Sequence, residues 1–330
     1  MPDKLLSICI PTYNRSEYLR ECLSSVLTSV AGHERGIEIV ISDNASTDDT
    51  VDIIHSFQIN YPWIRCYRNN ENIGGDRNIY LVATMALGEY LWIFGDDDKM
   101  EENAVPRILQ NIRDGYDLTI CNYSLWDKQF SVKRRKNGIP GKRDQSFENS
   151  NILIKRFGLH LGYISAVIIK KSIFLRLPAD EYEPFVEYGF PHLYAIYTGL
   201  AKGDYKMRFI ATPLFCNRGG NSGNFDWYKY FVTGSSLIFN KLLSRGYTKS
   251  AVLSAKHQVL KDFVIPHMLF MKLLGDGNNK KYNIGLMFSH YKKNWLFWLA
   301  CVPVFFVPPF LVHVAKNILL IIRQLNGKKS

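Results

Sequence analysis

Over the first 120 residues, short apolar runs alternate with longer stretches of mixed polarity. Residues 5–10 (LLSICI) are β-rich and stop at Pro11. In residues 16–30, Leu19, Leu23, Val26 and Leu27 recur at the spacing of one helical face, with Ser16 placed to cap the helix. The alternation continues with strands expected at 37–41, 64–67, 90–94 and 118–121, and helices at 48–57, 77–86 and 101–112. Strands separated by helices at this spacing predict an α/β fold, with a mainly parallel sheet covered by helices on both faces.

Ligands of such sheets gather beyond the carboxyl ends of the strands. Residues 12–15, 43–48, 74–78 and 96–98 are all polar and all fall at that edge. The last of these, Asp96, Asp97 and Asp98, follows an aromatic strand and Gly95 at once. Adjacent carboxylates repel unless water or a cation screens them, and their hard oxygens suit Mg2+ or Mn2+, which in turn hold phosphates. Alone, the run reads as well as an acidic surface turn. Beside three other polar loops, one of them carrying Arg77, it indicates a phosphate-and-metal site. The glycine spacings match neither the dinucleotide fingerprint nor the Walker A loop, which argues against hydride transfer and ATP hydrolysis.

Residues 123–150 are basic and turn-rich, with KRRK at 133–136, and are expected to form a mobile insertion. That basic run is either a solvated loop or a contact for lipid phosphates or an anionic acceptor. A strand is expected at 162–169, a helix from about 192 to 201, and short strands at 207–211 and 214–216 that deliver the polar loop 217–222. Beyond about 226 the chain turns helical and more basic. Residues 295–315 are almost wholly apolar and long enough to span a bilayer, but Pro303, Pro308 and Pro309 interrupt them. Residues 310–325 alternate as an interfacial helix does. Packing on the core, lying in the membrane plane and crossing it all stay open, with the in-plane placement preferred.

The formal net charge of +11 suits an anionic partner: phosphorylated substrates, an anionic membrane or nucleic acid. No segment resembles an RNA-reading module, so no nucleic-acid partner is expected. Six scattered cysteines without a CxxC pair argue against disulfides and zinc. Residues 5–10 already read as a strand with no cleavage site after them, so a cytosolic chain without a signal peptide is expected.

The segments ICIPTYNR (8–15), ISDNASTD (41–48), NIGG with Arg77 and Asn78, and the Asp96–Asp98 cluster resemble, in order, the motifs of GT-A family 2 glycosyltransferases. GYIS (162–165), YGFPH (188–192) and RGGNS (218–222) resemble the abequosyltransferase-like branch, which adds sugars to bacterial O-antigen units on a polyprenyl carrier. The resemblance implies a metal-dependent enzyme using Mn2+ or Mg2+. Its donor would be a nucleotide-sugar and its acceptor a polyprenyl-diphosphate-linked oligosaccharide, met at the cytoplasmic face of the inner membrane. Residues 1–122 would form the nucleotide-sugar-binding half of the GT-A domain, 123–225 the acceptor-side half, and 226–330 a membrane-associated helical region. Pro11, Thr12, Tyr13, Arg15, Asn44 and Gly75 would line the nucleotide pocket, Asp43 would bond the base, and Arg77 would approach the base or phosphates. Asp96 would sit near the ribose and Asp98 on the metal, with Asp97 as the competing ligand. Arg218 and Ser222 would close over the diphosphate. Two departures stand out: Gly95 replaces the family's usual leading aspartate, and Pro191-His192 replaces an acidic pair. His192 is therefore the expected catalytic base, with Glu187 behind it. The nearest alternative is a polyprenyl-phosphate sugar synthase, whose ionised acceptor needs no base.

Overall fold

The computed structural model describes residues 4–220, 226–273, 284–314 and 316. The expected alternation is present as β1 (Leu6–Thr12), α1 (Ser16–Val30), β2 (Ile37–Asp43), α2 (Thr50–Asn60), β3 (Arg65–Arg68), α3 (Gly75–Met85) and β4 (Tyr90–Ile93). The short β5 (Lys99–Met100), α4 (Ala104–Arg113) and β6 (Leu118–Trp126) follow. β1 pairs in parallel with both β2 and β4, and β2 in parallel with β3. β2 and β4 are buried along their whole length, as strands covered on both faces must be. β1 runs through Pro11 to Thr12, one turn of pleat beyond the expected stop. Ser16 is the first residue of α1 rather than its cap; its N–H bonds Asp48 Oδ2 at 3.1 Å, so the neighbouring loop supplies the acceptor.

The second half departs further from expectation. The basic insertion contributes β7 (Lys133–Arg135) and β8 (Gln145–Phe147), paired with the sheet, so it is part of the fold and not a free loop. After α5 (Ser150–Phe157), the segment expected as a strand at 162–169 opens with tight 3-10 turns and only then forms β9 (Val167–Lys170). β9 lies antiparallel between β4 and β6. Helices α6 (Lys171–Phe174), α7 (Ala179–Val186) and α8 (Pro191–Gly199) precede β10 (Met207–Arg218). β10 is one irregular strand where two were expected, bulged at Pro213. The sheet order is β3-β2-β1-β4-β9-β6-β10-β5.

The remaining elements are helical: a π-turn at Tyr228–Gly234 running into α9 (Ser235–Lys241), α10 (Lys249–Gln258) running into a π-turn at Val259–Val264, then α11 (Ile265–Leu273), α12 (Ile284–Tyr291) and α13 (Val302–Phe306). Phe239, Leu260 and Tyr291 belong to the same apolar core as Leu6 and Trp92, so these helices pack on the α/β body. Among the described residues no helix is long and apolar enough to cross a membrane. The apolar stretch from 295 is broken into a π-turn at Phe297–Cys301 and the short α13, which ends before Pro308.

Candidate active site

β1, β2 and β4 end side by side, and the loops leaving them meet. Thr12 Oγ1 donates to Asp96 Oδ2 at 2.7 Å, and Arg15 Nη1 lies 3.2 Å from Asp97 Oδ2. From the exit of β2, Asn44 accepts at Oδ1 from Asn69 Nδ2 (2.9 Å) and the Ile73 N–H (3.0 Å), and donates to Asn72 Oδ1 (2.7 Å). These bonds lock the loop before α3 against the loop after β2. Between them lies a cleft of about 430 Å3 lined by Pro11, Thr12, Tyr13, Arg15, Asn44, Gly75, Asp96 and Asp97, eight residues singled out in the sequence, together with Asn72 and Asn78.

A second cavity, of about 560 Å3, opens on the other side of Asp97. Asp97, Asp98, Ser165 and Asn217 form its polar wall, and Tyr163, Phe190, Trp227, Phe231 and Phe263 its aromatic one. Trp227 stacks on Phe231 at 4.9 Å between ring centroids and on His267 at 4.0 Å. Among the groups lining these two spaces, Gly95, Asp97 and Ile164 border both, and Asp97 is the charged one. Gly95 has a steric reason. A Cβ there would stand 3.3 Å from Asp97 Oδ1, Asp98 Oδ2 and Ser165 Oγ alike, so a side chain at this position would have to push these three groups outward by a few tenths of an ångström.

The three aspartates are not equivalent. Asp98 is buried; Ser165 Oγ donates to its Oδ2 at 2.7 Å, while Asn217 Nδ2 (3.0 Å) and the Arg218 N–H (3.3 Å) donate to its Oδ1. Burial first, and the charge of Asp97 second, push the Asp98 carboxyl up to about 8 and the Asp96 carboxyl up to about 7. Three carboxyls this crowded favour a cation that offsets them. Among the described residues no three His, Cys, Asp or Glu side chains converge as a protein-only metal cage. The donor set is instead that of a site shared with a substrate's phosphates. Asp98 is buried with protein donors on both oxygens, whereas the Asp97 side chain beside Arg15 is 24% exposed at the cleft wall.

Other expected residues lie elsewhere. His192 is buried at the start of α8; its Nε2–H donates to the Gly162 carbonyl at 2.8 Å, and Nδ1 is buried without a partner. Burial pushes it down to about 4. It lines neither space, since Phe190 and Gly162 stand at the cavity wall. Glu187 points to solvent and pairs with Lys229 at 3.3 Å. Arg218 is spent inside the protein: Nε donates to the Asp97 carbonyl (2.9 Å), Nη1 to the Lys128 carbonyl (2.6 Å) and Nη2 to Glu21 (2.7 Å), with Phe130 and Tyr18 against its guanidinium. It braces the aspartate loop from behind. Arg77 Nε donates to Glu183 Oε1 at 2.9 Å on the surface, outside the cleft lining. Asp43 is buried behind the cleft; its Oδ1 accepts from the Ser46 N–H at 3.0 Å, and Oδ2 faces Arg68 at 3.5 Å without a hydrogen bond. Ser222 lies outside the described residues.

Sequence reasoning assigned no role to Ser165, Asn217, Tyr163 or the aromatic wall. The first three sit within or beside the segments GYIS and RGGNS, so the signal was present but unassigned. Trp227 and Phe231, four apart on a helix, carry only the mark of a core face.

A parallel-centred sheet, a nucleotide-sized cleft at its carboxyl edge, an acidic run and a second cavity beyond it define a GT-A glycosyltransferase architecture. The chain belongs to glycosyl transferase family 2, whose profile matches residues 7–175. It is 33% identical over 229 residues to abequosyltransferase RfbV of Salmonella typhimurium, covering 66% of this chain and 67% of that one. It is 26% identical over 153 residues to the GalNAc(5)-diNAcBac-PP-undecaprenol beta-1,3-glucosyltransferase of Campylobacter jejuni, a match covering 46% of this chain and 48% of that one. Its fold is similar to that of the mannosyltransferase PcManGT of Pyrobaculum calidifontis in complex with GDP-Man and Mn2+ (TM-score 0.52, 14% identity, 81% of this chain and 74% of that one).

Proposed function

We propose that the protein transfers one sugar from a nucleotide-diphosphate-sugar to a hydroxyl of a lipid-linked oligosaccharide. It would build O-antigen or a similar surface glycan at the cytoplasmic face of a bacterial inner membrane. One observation carries this reading: Asp97 stands where a polar, loop-lined cleft meets an aromatic cavity. The cleft suits a nucleotide diphosphate, with Arg15 beside the phosphates and Asn44, Asn72 and Asn78 as polar groups on its wall. The aromatic wall suits the C–H faces of sugar rings, and it carries no lysine or arginine. The relatives' names, one of them an undecaprenol-linked glucosyltransferase, support a lipid-linked acceptor.

Mn2+ or Mg2+ held by Asp97, with Asp96 or Asp98 adjoining, would offset the charge that develops on the departing diphosphate. Arg15 adds a guanidinium to the same end of the reaction. Asp96, fixed by Thr12, orients the donor side of the cleft, and Ser165 with Asn217 holds Asp98 still. In the inverting case the acceptor hydroxyl would attack the anomeric carbon from the aromatic cavity while the bond to the diphosphate breaks on the opposite side, the hydroxyl proton passing to a carboxylate on the cavity wall, Asp97 or Asp98. A second reading is transfer onto a polyprenyl phosphate, whose ionised oxygen needs no base; among the described residues no histidine or glutamate lines the cavity. The carboxylates of Asp97 and Asp98 on its wall repel a phosphate nucleophile, so the hydroxyl acceptor is preferred. Screening UDP-, GDP-, CDP- and dTDP-sugars with Mn2+ for thermal stabilisation is the test. At least one donor class raises the melting temperature; stabilisation by none would end the reading.

A further inference from the structure

Away from both catalytic spaces, the helical region holds a third cavity of about 280 Å3, between the end of α9, α10 and the end of α12. Lys249, Lys256, His290, Lys292 and Lys293 line it, with Asn240. Lys256 is buried; its Nζ donates to Asn240 Oδ1 at 3.2 Å and lies 5.5 Å from the Tyr291 ring centroid. Among the described residues no ion pair forms at any of these four lysines, and no aspartate or glutamate lines the cavity. Residues 226–330 carry 15 lysines and arginines against three aspartates and no glutamate, so the surroundings offer little to neutralise the cluster. A buried ammonium among like charges is a costly arrangement unless an anion completes it. Consistent with this, burial and then Lys293 push Lys256 down to about 8.

We propose that this pocket binds the phosphate of an anionic phospholipid headgroup, seating the helical region on a membrane surface. Trp295, Trp298 and Leu299 are exposed immediately after the lining residue Asn294, the juxtaposition of aromatic and cationic groups that an interface favours. The same helices reach the aromatic cavity. Phe231 precedes Asn240 by nine residues and Phe263 follows Lys256 by seven, about 10–14 Å along a helix axis. A headgroup in the lysine pocket would therefore hold the acceptor cavity near the lipid surface. The identity of that surface rests on the transferase reading; binding of a lipid phosphate does not.

The test is co-sedimentation of the full chain with vesicles of phosphatidylcholine alone or mixed with phosphatidylglycerol, alongside nucleotide-sugar stabilisation of the same samples. The wild type binds the mixed vesicles preferentially, and Lys249→Gln/Lys292→Gln/Lys293→Gln lowers that partition roughly ten-fold or more. Lys292→Arg/Lys293→Arg retains it, and nucleotide-sugar stabilisation is unchanged in both variants, which separates pocket loss from misfolding. Equal binding by wild type and triple variant, or equal binding to both vesicle types, overturns the pocket. Stabilisation by inorganic phosphate without vesicle binding also overturns it, assigning the site to a soluble anion. Loss of nucleotide-sugar stabilisation in the wild type would instead overturn the transferase reading while leaving the vesicle result standing.

Discussion

Residues 1–225 carry 26 lysines and arginines against 27 aspartates and glutamates, whereas residues 226–330 carry 15 against three. In the first region, cations and anions answer one another: Arg15 with Asp97, Arg65 with Glu38, Arg107 with Asp144, Arg218 with Glu21. Its longest runs of like charge are the exposed basic one at 133–136 and the aspartate one, the latter at the edge where a diphosphate and its cation would sit. In the second region, among the described residues, no carboxylate lines the α9–α10–α12 lysine pocket. Charge that is balanced internally holds a fold; charge left unbalanced points outward, to a ligand or a surface. On the proposed reading the two regions divide the work, donor chemistry in one and attachment in the other; the aromatic cavity is lined by residues of both.

That division is open to attack at several points. The largest effect is expected at the aspartate run, where Asp97→Ala should lower turnover about 100- to 1,000-fold, measured as sugar transfer at saturating donor. His192 comes next, as a test of whether the first region's buried groups serve packing or chemistry. Its folded value of about 4 lies below the ordinary 6.5, so its neutral form stabilises the fold fully above 6.5, and that stability is lost as pH falls toward 4. The stability gap between wild type and His192→Gln should shrink by as much as about 3 kcal/mol over that interval, with transfer at neutral pH changed little. A loss of turnover without this pH signature would restore His192 as the base. At the junction, Trp227→Ala should raise the acceptor KM roughly ten-fold and leave the donor KM alone. The smallest effect belongs to Arg77, whose solvent-screened pair with Glu183 makes Arg77→Ala nearly neutral in melting temperature, with donor affinity nearly intact.

The first region was largely legible because its strands, helices and loops are local. Apolar runs at 5–10 and 90–94 become β1 and β4, and the loops after them form the cleft. What was not legible depends on long-range contacts. Nothing near Asp98 announces that Ser165 and Asn217, more than 60 residues away, will donate to its two oxygens. Residues 162–169 have strand-like composition, yet Ser165 must turn to reach Asp98 and the Gly95 N–H, so the segment opens in 3-10 turns. His192 looked like a base because it stands at the family's acidic pair, but in the fold Phe190 and Gly162 cover it. Arg218 looked like a phosphate clamp because its loop resembles the family's; Glu21 and two carbonyls engage its guanidinium inside the protein instead.

The central claim is that Asp97, at the wall between cleft and cavity, faces the cation and diphosphate while Asp98 is held by the protein. Titrating Mn2+ against wild type, Asp97→Asn and Asp98→Asn in the presence of the stabilising nucleotide-sugar, and following melting temperature, tests it directly. The structure predicts that the Mn2+-dependent stabilisation disappears in Asp97→Asn and survives in Asp98→Asn. Its survival in Asp97→Asn together with its loss in Asp98→Asn would contradict the account.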